Sequence, residues 1–392
     1  MMAWRTVELG EVAQIDRVSI RPEDIGPGTT YLGLEDIQKG GEIINKQVVE
    51  NGELKSSKFY FGPCHLLYGK LRPYLAKIAA PDFQGICSTD IIPLLPGEEI
   101  DRQYLLHFLR QEKVVEYAAS RSSGANLPRL SPKELAKLKV ALPPLAEQKR
   151  IAAILDEAYA LRVKRHEALD HLDTLLQSTF IDMFGDPVKA EWPIESVEGI
   201  ALKQKGSIRT GPFGSQLLHS EFVDEGVRVL GIDNVVANEF RAGEPRFITP
   251  EKYQKLQRYT VNPGDVLITI MGTCGRCAVV PPNVGAAINT KHLCCITLDY
   301  EKCIPIFLHA YFLLHPMART YLDRSAKGAI MSGLNMSIIK QLPVLLPPLD
   351  LQRRFAAIVE SIENQKARMR AHLGELDALF ASLQHRAFNG EL

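Results

Sequence analysis

Apolar positions along this chain follow two rhythms that alternate. Two stretches keep a helical period without interruption. In the first, Ile151, Ile154, Leu155, Ala158, Leu161, Leu169, Leu172, Leu175, Leu176, Phe180 and Met183 form one stripe, with Lys, Arg, Asp, Glu and His between them. In the second, the stripe runs from about Leu351 to Phe388 through Phe355, Ile358, Val359, Ile362, Met369, Leu373, Leu376, Leu379, Phe380 and Leu383. Each predicts a helix of roughly 38 residues, about 57 Å at 1.5 Å per residue. A helix that long with one narrow apolar seam needs a partner helix, so the two are expected to pack on each other. Pro143-Pro144 and Pro347-Pro348 stand at their starts, where proline is tolerated. Gly185-Asp186-Pro187 and Asn389-Gly390 stop them.

The other rhythm is short. Residues 1–140 read as mixed α and β, with β-like runs at Thr30–Leu34, Cys64–Tyr68, Leu75–Ile78 and Asp90–Leu95 separated by Gly and Pro. A helix is predicted over Arg102–Ala119 from Tyr104, Leu105, Phe108, Leu109, Val115 and Ala119. Ser122–Asn126 is a loop. Ser131-Pro132-Lys133-Glu134 has an N-cap serine, proline at the first helical position and glutamate at the third, which predicts a short helix.

These rhythms repeat because the sequence does. Leu142–Leu155 returns 204 residues later as Leu346–Val359. Over 142–186 and 346–390 the copies agree at 15 of 45 positions, nine of them in the first 13. A fixed period of self-similarity is the first thing to explain in a sequence. The regions before each helix echo more faintly. Glu191-Trp192 echoes Ala3-Trp4, Leu230–Asn234 echoes Leu32–Asp36, and Pro263–Leu267 echoes Pro63–Leu67. Ala287–Thr290 echoes Ile86–Thr89, and Gly328-Ala329 echoes Gly124-Ala125. The expected order is globe (1–142), spacer helix (143–186), globe (187–346), spacer helix (347–392). The fold class is α+β: two homologous mixed α/β domains separated by two long antiparallel coiled-coil helices, related by a pseudo-two-fold axis. An antiparallel pair puts the globes at opposite ends of a rod, a ruler for two half-sites on DNA.

Composition narrows the function. The chain has 392 residues, 46% hydrophobic and 23% charged, which is globular. No apolar run approaches the roughly 20 residues that span a bilayer, and the first ten residues lack a signal-peptide pattern. The expected location is the cytoplasm, with no membrane partner. Lys+Arg and Asp+Glu both total 46, which argues against a strongly basic nucleic-acid binder but allows local basic faces. The seven cysteines are irregularly spaced, as reduced thiols would be. Cys274-Gly-Arg-Cys277 with Cys294-Cys295 has the outline of a zinc site, but the second pair lacks the spacing, so buried thiols are expected and no metal. No phosphate loop, amino-methyltransferase [ND]PP[YF], H-E-x-x-H or G-x-S-x-G motif is present, so no catalytic residue is assigned.

Duplicated Leu-Pro-Pro-Leu-x-x-Gln helices alternating with two variable globes resemble the specificity (S) subunit of type I restriction–modification systems. The residues carrying the likeness are Leu142–Leu155, Leu346–Val359, Phe184-Gly185-Asp186 and Gly211-Pro212-Phe213-Gly214-Ser215. The first globe lacks the last element. The resemblance implies two target-recognition domains, each reading half of an asymmetric bipartite site in double-stranded DNA. It implies a non-catalytic chain whose spacer helices recruit two methyltransferase (M) subunits, with restriction (R) subunits joining. Self-association is expected when those partners are missing. S-adenosylmethionine, ATP and Mg belong to the partner subunits, and this chain is expected to hold no cofactor. The competing reading is a non-catalytic coiled-coil scaffold or regulator with protein partners, favoured by the zero net charge.

DNA readout requires phosphate clamps and base-edge donors on loops. The first globe offers Lys70, Arg72 and Tyr74 on one turn and Arg121, Ser122 and Asn126 on another. The second offers Arg209, Thr210 and Ser215 around Gly211, Thr273 and Arg276 in a Gly-rich turn, Asn289, Lys291, and Lys327 beside Gly328. Each is also readable as a solvated loop residue. Gln148 and Gln352 recur in the first turn of the spacer helices. They read either as contacts to an M subunit or the opposite globe, or as local caps at the Pro-Pro entry, with the local role favoured.

Overall fold

Each Pro-Pro pair separates a strand from a long helix. The computed structural model of the chain describes residues 4–185, 192–327 and 333–392. The helices run Leu145–Phe184 and Leu349–Asn389. The first ends at Gly185, whose N–H donates to Ile181 O at 2.7 Å. Asp186, Pro187, Glu191, Gly328 and Ala329 lie outside the described residues. The chain divides into two units, Met1–Glu167 with Arg370–Leu392, and Ala168–Met369. Each unit therefore holds the start of one long helix and the end of the other.

Unit 1 contains β1 (Arg5–Glu8), α1 (Leu9–Val12), β2 (Ala13–Ile15), β3 (Ser19–Ile20), β4 (Thr29–Leu32) and β5 (Gln47–Val49). It continues with β6 (Lys58–Phe61), β7 (Leu66–Gly69), β8 (Ile78–Ala79), β9 (Gly85–Cys87) and β10 (Ile91–Pro96). Then come α2 (Arg102–Leu109), α3 (Glu112–Ser120), α4 (Pro132–Ala136), β11 (Lys139–Leu142) and the start of α5 (Leu145–Phe184). The sheets are β2-β10-β7-β8, β3-β6-β9-β4-β5 and the pair β1-β11.

Unit 2 repeats this plan. Its strands are β12 (Ile194–Ser196), β13 (Ile208–Thr210), β14 (Val227–Leu230), β15 (Phe247–Ile248) and β16 (Thr260–Val261). They continue as β17 (Val266–Thr269), β18 (Cys277–Val279), β19 (Ala287–Asn289), β20 (Leu293–Ile296) and β21 (Pro343–Leu345). Its helices are α6 (Val197–Ile200), α7 (Pro250–Leu256), α8 (Pro305–Leu314), α9 (Pro316–Lys327), α10 (Met336–Gln341) and the start of α11 (Leu349–Asn389). The sheets are β13-β20-β17-β18, β15-β14-β19-β16 and β12-β21. In both units one parallel pair, β4 with β9 and β14 with β19, sits in an otherwise antiparallel arrangement. Unit 2 has no counterpart of β3 among its described strands.

Three details differ from the sequence reading. The run Leu75–Ile78 is not a strand: Pro73–Leu75 forms a single 3-10 turn, Ala76 is left-handed (φ 46°) and β8 takes in only Ile78–Ala79. The helix over Arg102–Ala119 is broken, because Gln111 adopts an extended conformation as N-cap of α3 and its buried amide donates to Phe108 O at 3.1 Å. The echo of Ile86–Thr89 slips by one residue. Ser88 N–H donates to Leu32 O at 2.9 Å and Thr290 N–H to Leu230 O at 2.8 Å, so Ser88 corresponds to Thr290 and Cys87 to Asn289. The short helix after Ser131 forms, with Ser131 Oγ accepting from Glu134 N–H at 3.2 Å.

Within each unit the two long helices pack antiparallel. In unit 1, Tyr159 meets Phe380 and Arg162 pairs with Asp377 at 2.6 Å. In unit 2, Phe180 and Phe184 meet Phe355, and Lys366 pairs with Asp173. Arg162 and Lys366 are 204 residues apart, as are Asp173 and Asp377, so the same repeat positions make one ion pair per unit. Phe388 seals the unit 1 core against Tyr104 and Phe108. Phe184, its repeat partner, seals unit 2 against Phe307 and Trp192.

Candidate nucleic-acid interface

The joint explains the repeated glutamines. Gln148 is fully buried. Its amide N–H donates to Glu99 O and Pro143 O, both at 2.9 Å, and its carbonyl accepts from Asp101 N–H at 2.8 Å. Gln352 repeats the pattern with Lys302 O at 3.0 Å, Pro347 O at 2.9 Å and Ile304 N–H at 3.0 Å. Each glutamine thus staples the first turn of a long helix to the loop before α2 or α8 of its own unit. Glutamine suits this place because it carries both donors and an acceptor on one flat group. The local reading of these residues holds, extended from a cap to a domain–helix joint.

At one end of each four-stranded sheet the loops converge. In unit 1 the β7–β8 loop carries Lys70, Arg72 and Tyr74. It is zipped to the loop after α3, with Arg72 N–H on Pro128 O at 2.7 Å and Leu130 N–H on Lys70 O at 3.0 Å. The two candidate loops are therefore one surface. Arg72 holds a left-handed conformation (φ 51°) and is exposed, and Tyr74 is half exposed. Arg121 is exposed and stacks on Tyr117 at 5.3 Å, and Asn126 is exposed. Ser122 Oγ instead donates to Ala119 O at 2.6 Å, closing the end of α3. Asp90, in the β9–β10 turn, accepts from Arg129 at 3.2 Å and pairs with Lys70 at 3.6 Å, so the surface is a cationic cluster around one carboxylate. Sequence reading missed Asp90 and Arg129; only the fold brings them to this turn.

In unit 2 the corresponding β17–β18 turn carries Thr273 and Arg276, both exposed. Arg276 N–H donates to Thr269 Oγ1 at 2.9 Å, which fixes the turn and frees the guanidinium to face outward. Lys291 is half-buried in the β19–β20 turn, where Asp90 has its counterpart in His292. Thr210 and Ser215 flank Gly211, and Ser215 is exposed. A Cβ on Gly211 would stand 1.9 Å from Asn289 O, so glycine is required for close backbone approach. Lys327 has its side chain outside the described residues.

Two candidates are corrected. Arg209 does not face solvent. It donates to Thr260 O at 3.1 Å, Gly206 O at 3.1 Å, Thr297 Oγ1 at 2.9 Å and Asp265 Oδ2 at 2.7 Å, and Asp265 is 2% exposed. With Nη2 also donating to Thr260 O, all five guanidinium N–H groups are committed to these four internal acceptors and none is left for a phosphate. Asn289 is likewise fully buried, donating to Leu293 O at 2.8 Å and Thr290 O at 3.3 Å. Gly211, two residues after Arg209, gives the same signal in the sequence whether it serves a ligand or the backbone crossing at Asn289.

The position of Arg209 has a counterpart. Strand registers equate Asp16 with Arg209 and His65 with Asp265. In unit 1 His65 Nε2 lies 3.1 Å from Asp16 Oδ2, and its Nδ1 accepts from Gly62 N–H at 3.0 Å. Both units thus tie the edge strand to the start of β7 or β17 with a hydrogen-bonded polar pair, the carboxylate lying on the edge-strand side in unit 1 and on the turn side in unit 2. A second shared element ends β4 and β14. Asp36 accepts from Gly33 N–H at 2.7 Å, and Asn234 from Gly231 N–H at 2.8 Å.

In unit 2, Cys277, Cys294, Cys295 and Cys303 are buried and Cys274 is half-buried. Burial pushes Cys294 up to about 12, and pushes Cys277 and Cys295 upward as well, which keeps them as thiols rather than metal-binding thiolates. Among the described residues no cluster of three His, Cys, Asp or Glu is placed to hold a metal, and no helix is long and apolar enough to cross a membrane.

Two related α/β units, each stapled to a long repeated helix and each presenting divergent polar loops, define a DNA specificity domain of the type I restriction–modification class. The family model for the type I restriction modification DNA specificity domain matches residues 1–170 and 223–376, and the chain belongs to that family. It is 28% identical over 203 residues to the type I restriction enzyme EcoDI specificity subunit of Escherichia coli, a match spanning 50% of this chain and 45% of that one. It is 23% identical over 431 residues to the EcoBI specificity subunit of Escherichia coli, across 100% of this chain and 86% of that one. A chain from a structure on complex assembly and conformational transition of the type I R-M system superposes with a TM-score of 0.60 at 20% identity. It covers 100% of this chain and 99% of that one, and agrees in fold.

Proposed function

We propose that the chain is the DNA-reading subunit of a type I restriction–modification complex, with unit 1 and unit 2 each reading one half of an asymmetric bipartite site. The observation that carries this is the match of scaffolds and mismatch of loops. The same four-strand core order in each sheet, the turn and the glutamine joint recur, while the loops at the reading end are Lys-Leu-Arg-Pro-Tyr in one unit and Met-Gly-Thr-Cys-Gly-Arg in the other. Two readers of one build with different contact residues suit two different half-sites. Arg72, Tyr74, Arg121 and Asn126 act in unit 1; Thr210, Ser215, Thr273, Arg276 and Lys291 act in unit 2.

The chain performs no chemistry itself; methyl transfer and cleavage belong to M and R subunits, which bring S-adenosylmethionine, ATP and Mg. Two M subunits are supported by the repeat. Leu175 and Leu379 occupy the same repeat position and are both about half exposed, at 50% and 48%, so the helices offer one outward apolar contact twice. The complex acts in the cytoplasm, where host DNA is. Methylation mapping of a genome carrying the chain with its M subunit tests the reading. It gives a motif of two unlike specified blocks around an unspecified gap; a single continuous motif, or no motif dependent on this chain, would refute it.

A further inference from the structure

Among its described strands unit 2 has no counterpart of β3, and no described strand pairs with the edge that β3 covers in unit 1. In unit 1, β3 pairs with the outer edge of β6, and Tyr60 N–H donates to Val18 O at 2.9 Å. The corresponding edge in unit 2 is β16. There Arg209 caps Thr260 O, and a cleft of about 750 Å³ runs between β16 and β13. Among the described residues that line it none is acidic, while Lys205 and Arg258 bring cationic side chains to its rim, both exposed. Arg258 is steadied by the Tyr259 ring, 4.6 Å away, and by the Tyr259 hydroxyl, which itself donates to Gln216 Oε1 at 2.8 Å. Phe213 stands at the lip, 53% exposed, on the turn that Gly214 makes at φ +55°. A solvent-facing phenyl beside two cations and no carboxylate fits an anion that carries a flat ring.

The cleft is continuous with the candidate reading surface. It includes Thr210 and Gly211, and Gly211 lies against the backbone of Asn289 and Thr290, next to Lys291. We propose that this cleft is a second DNA contact, held by unit 2 alone, in which Lys205 and Arg258 take phosphates of the strand leaving the reading loops and Phe213 stacks on a flanking base. The inference rests on the DNA-reading function proposed above and adds an asymmetry to it: unit 2 anchors more of its half-site than unit 1. The phosphate contacts position the duplex and carry no base preference.

The test is equilibrium binding of the reconstituted complex to a duplex bearing its mapped site, across a salt series, with K205Q, R258Q and F213A. Each cation removed is expected to weaken binding roughly tenfold near 0.1 M salt and to lower the log–log salt slope by about one, with the mapped motif unchanged. Methylphosphonates beside the unit 2 half-site should cost wild type the same factor and cost the double variant nothing more. F213A is expected to weaken binding with the slope unchanged. Circular dichroism checks that each variant stays folded. If the cationic variants bind with wild-type affinity and slope, the cleft is not a DNA contact although the reading function stands. If the methylphosphonate effect appears beside the unit 1 half-site instead, the assignment to unit 2 is wrong. If wild type itself does not bind the duplex, the reading function fails and the inference with it.

Discussion

Unit 1 and unit 2 solve the same structural problem with the carboxylate on opposite sides of the link. Where unit 1 places Asp16 against His65, unit 2 places Arg209 against Asp265. The backbone hydrogen bond next to the pair is kept: Gly62 N–H donates to His65, and Asn262 N–H donates to Asp265 at 2.9 Å. The difference teaches that the position demands a paired polar link between the edge strand and the turn, and leaves its chemistry free. The Gln148 and Gln352 joints show the opposite behaviour, with identity, geometry and burial all the same. The joint attaches each unit to a repeated helix and so cannot drift, whereas the pair is internal to one unit.

The largest effect that would break this comparison is loss of one member of the unit 2 pair. Asp265→Ala leaves a buried guanidinium facing one fewer acceptor, and a cost of about 3–5 kcal/mol is expected, seen in urea unfolding and in hydrogen exchange of β17 and β20. The double exchange Arg209→Asp with Asp265→His, which copies unit 1, should recover most of that loss. No recovery would show that the two pairs are not equivalent.

Acid should separate the units next. In unit 2, burial lowers His309 and His315 below the usual histidine value. The folded state then binds fewer protons than the unfolded one as pH falls through about 6.5, so stability is complete above that pH and drains away below it. Each histidine contributes at most about 1.4 kcal/mol per pH unit. Thermal melts between pH 7 and pH 5 should show the unit 2 transition falling, and His309→Gln should flatten it. A transition that rises on acidification would contradict the sign.

Gln148→Leu and Gln352→Leu are expected to cost about 1–3 kcal/mol each, because each strands two carbonyls and one N–H in the interior. The comparison demands similar losses, so a large effect in one unit and none in the other would count against a shared joint. The smallest effect belongs to the helix pairs. Asp377→Asn should cost under about 1 kcal/mol, since that carboxylate is half exposed. Lys366→Met should differ more, because Lys366 is 4% exposed and meets both Asp173 and Glu363.

Much of this architecture could be read from the chain. The stripes Ile151–Met183 and Phe355–Leu383 gave the long helices, and the Pro-Pro pairs gave their starts. The echo of Leu32–Asp36 in Leu230–Asn234 marked the shared turn, because a side-chain acceptor three residues after glycine closes it in both copies. What stayed hidden is tertiary. Arg209 looked like a phosphate clamp because nothing local reveals an Asp 56 positions away. The slip between Ser88 and Thr290 was invisible because loop lengths differ on either side. Neither β3 nor the lack of its counterpart among the described strands of unit 2 leaves a periodic signal, since two residues are too few to alternate.

The central claim, that each unit reads its own half-site, is tested most directly by exchange. Residues 1–142 would be replaced by the corresponding segment of a family member with a different known motif, and methylation mapped in cells carrying the M subunit. The account predicts a motif in which one block changes to that of the donor while the other block and the gap stay the same. A motif changed in both blocks, or in neither, would contradict it.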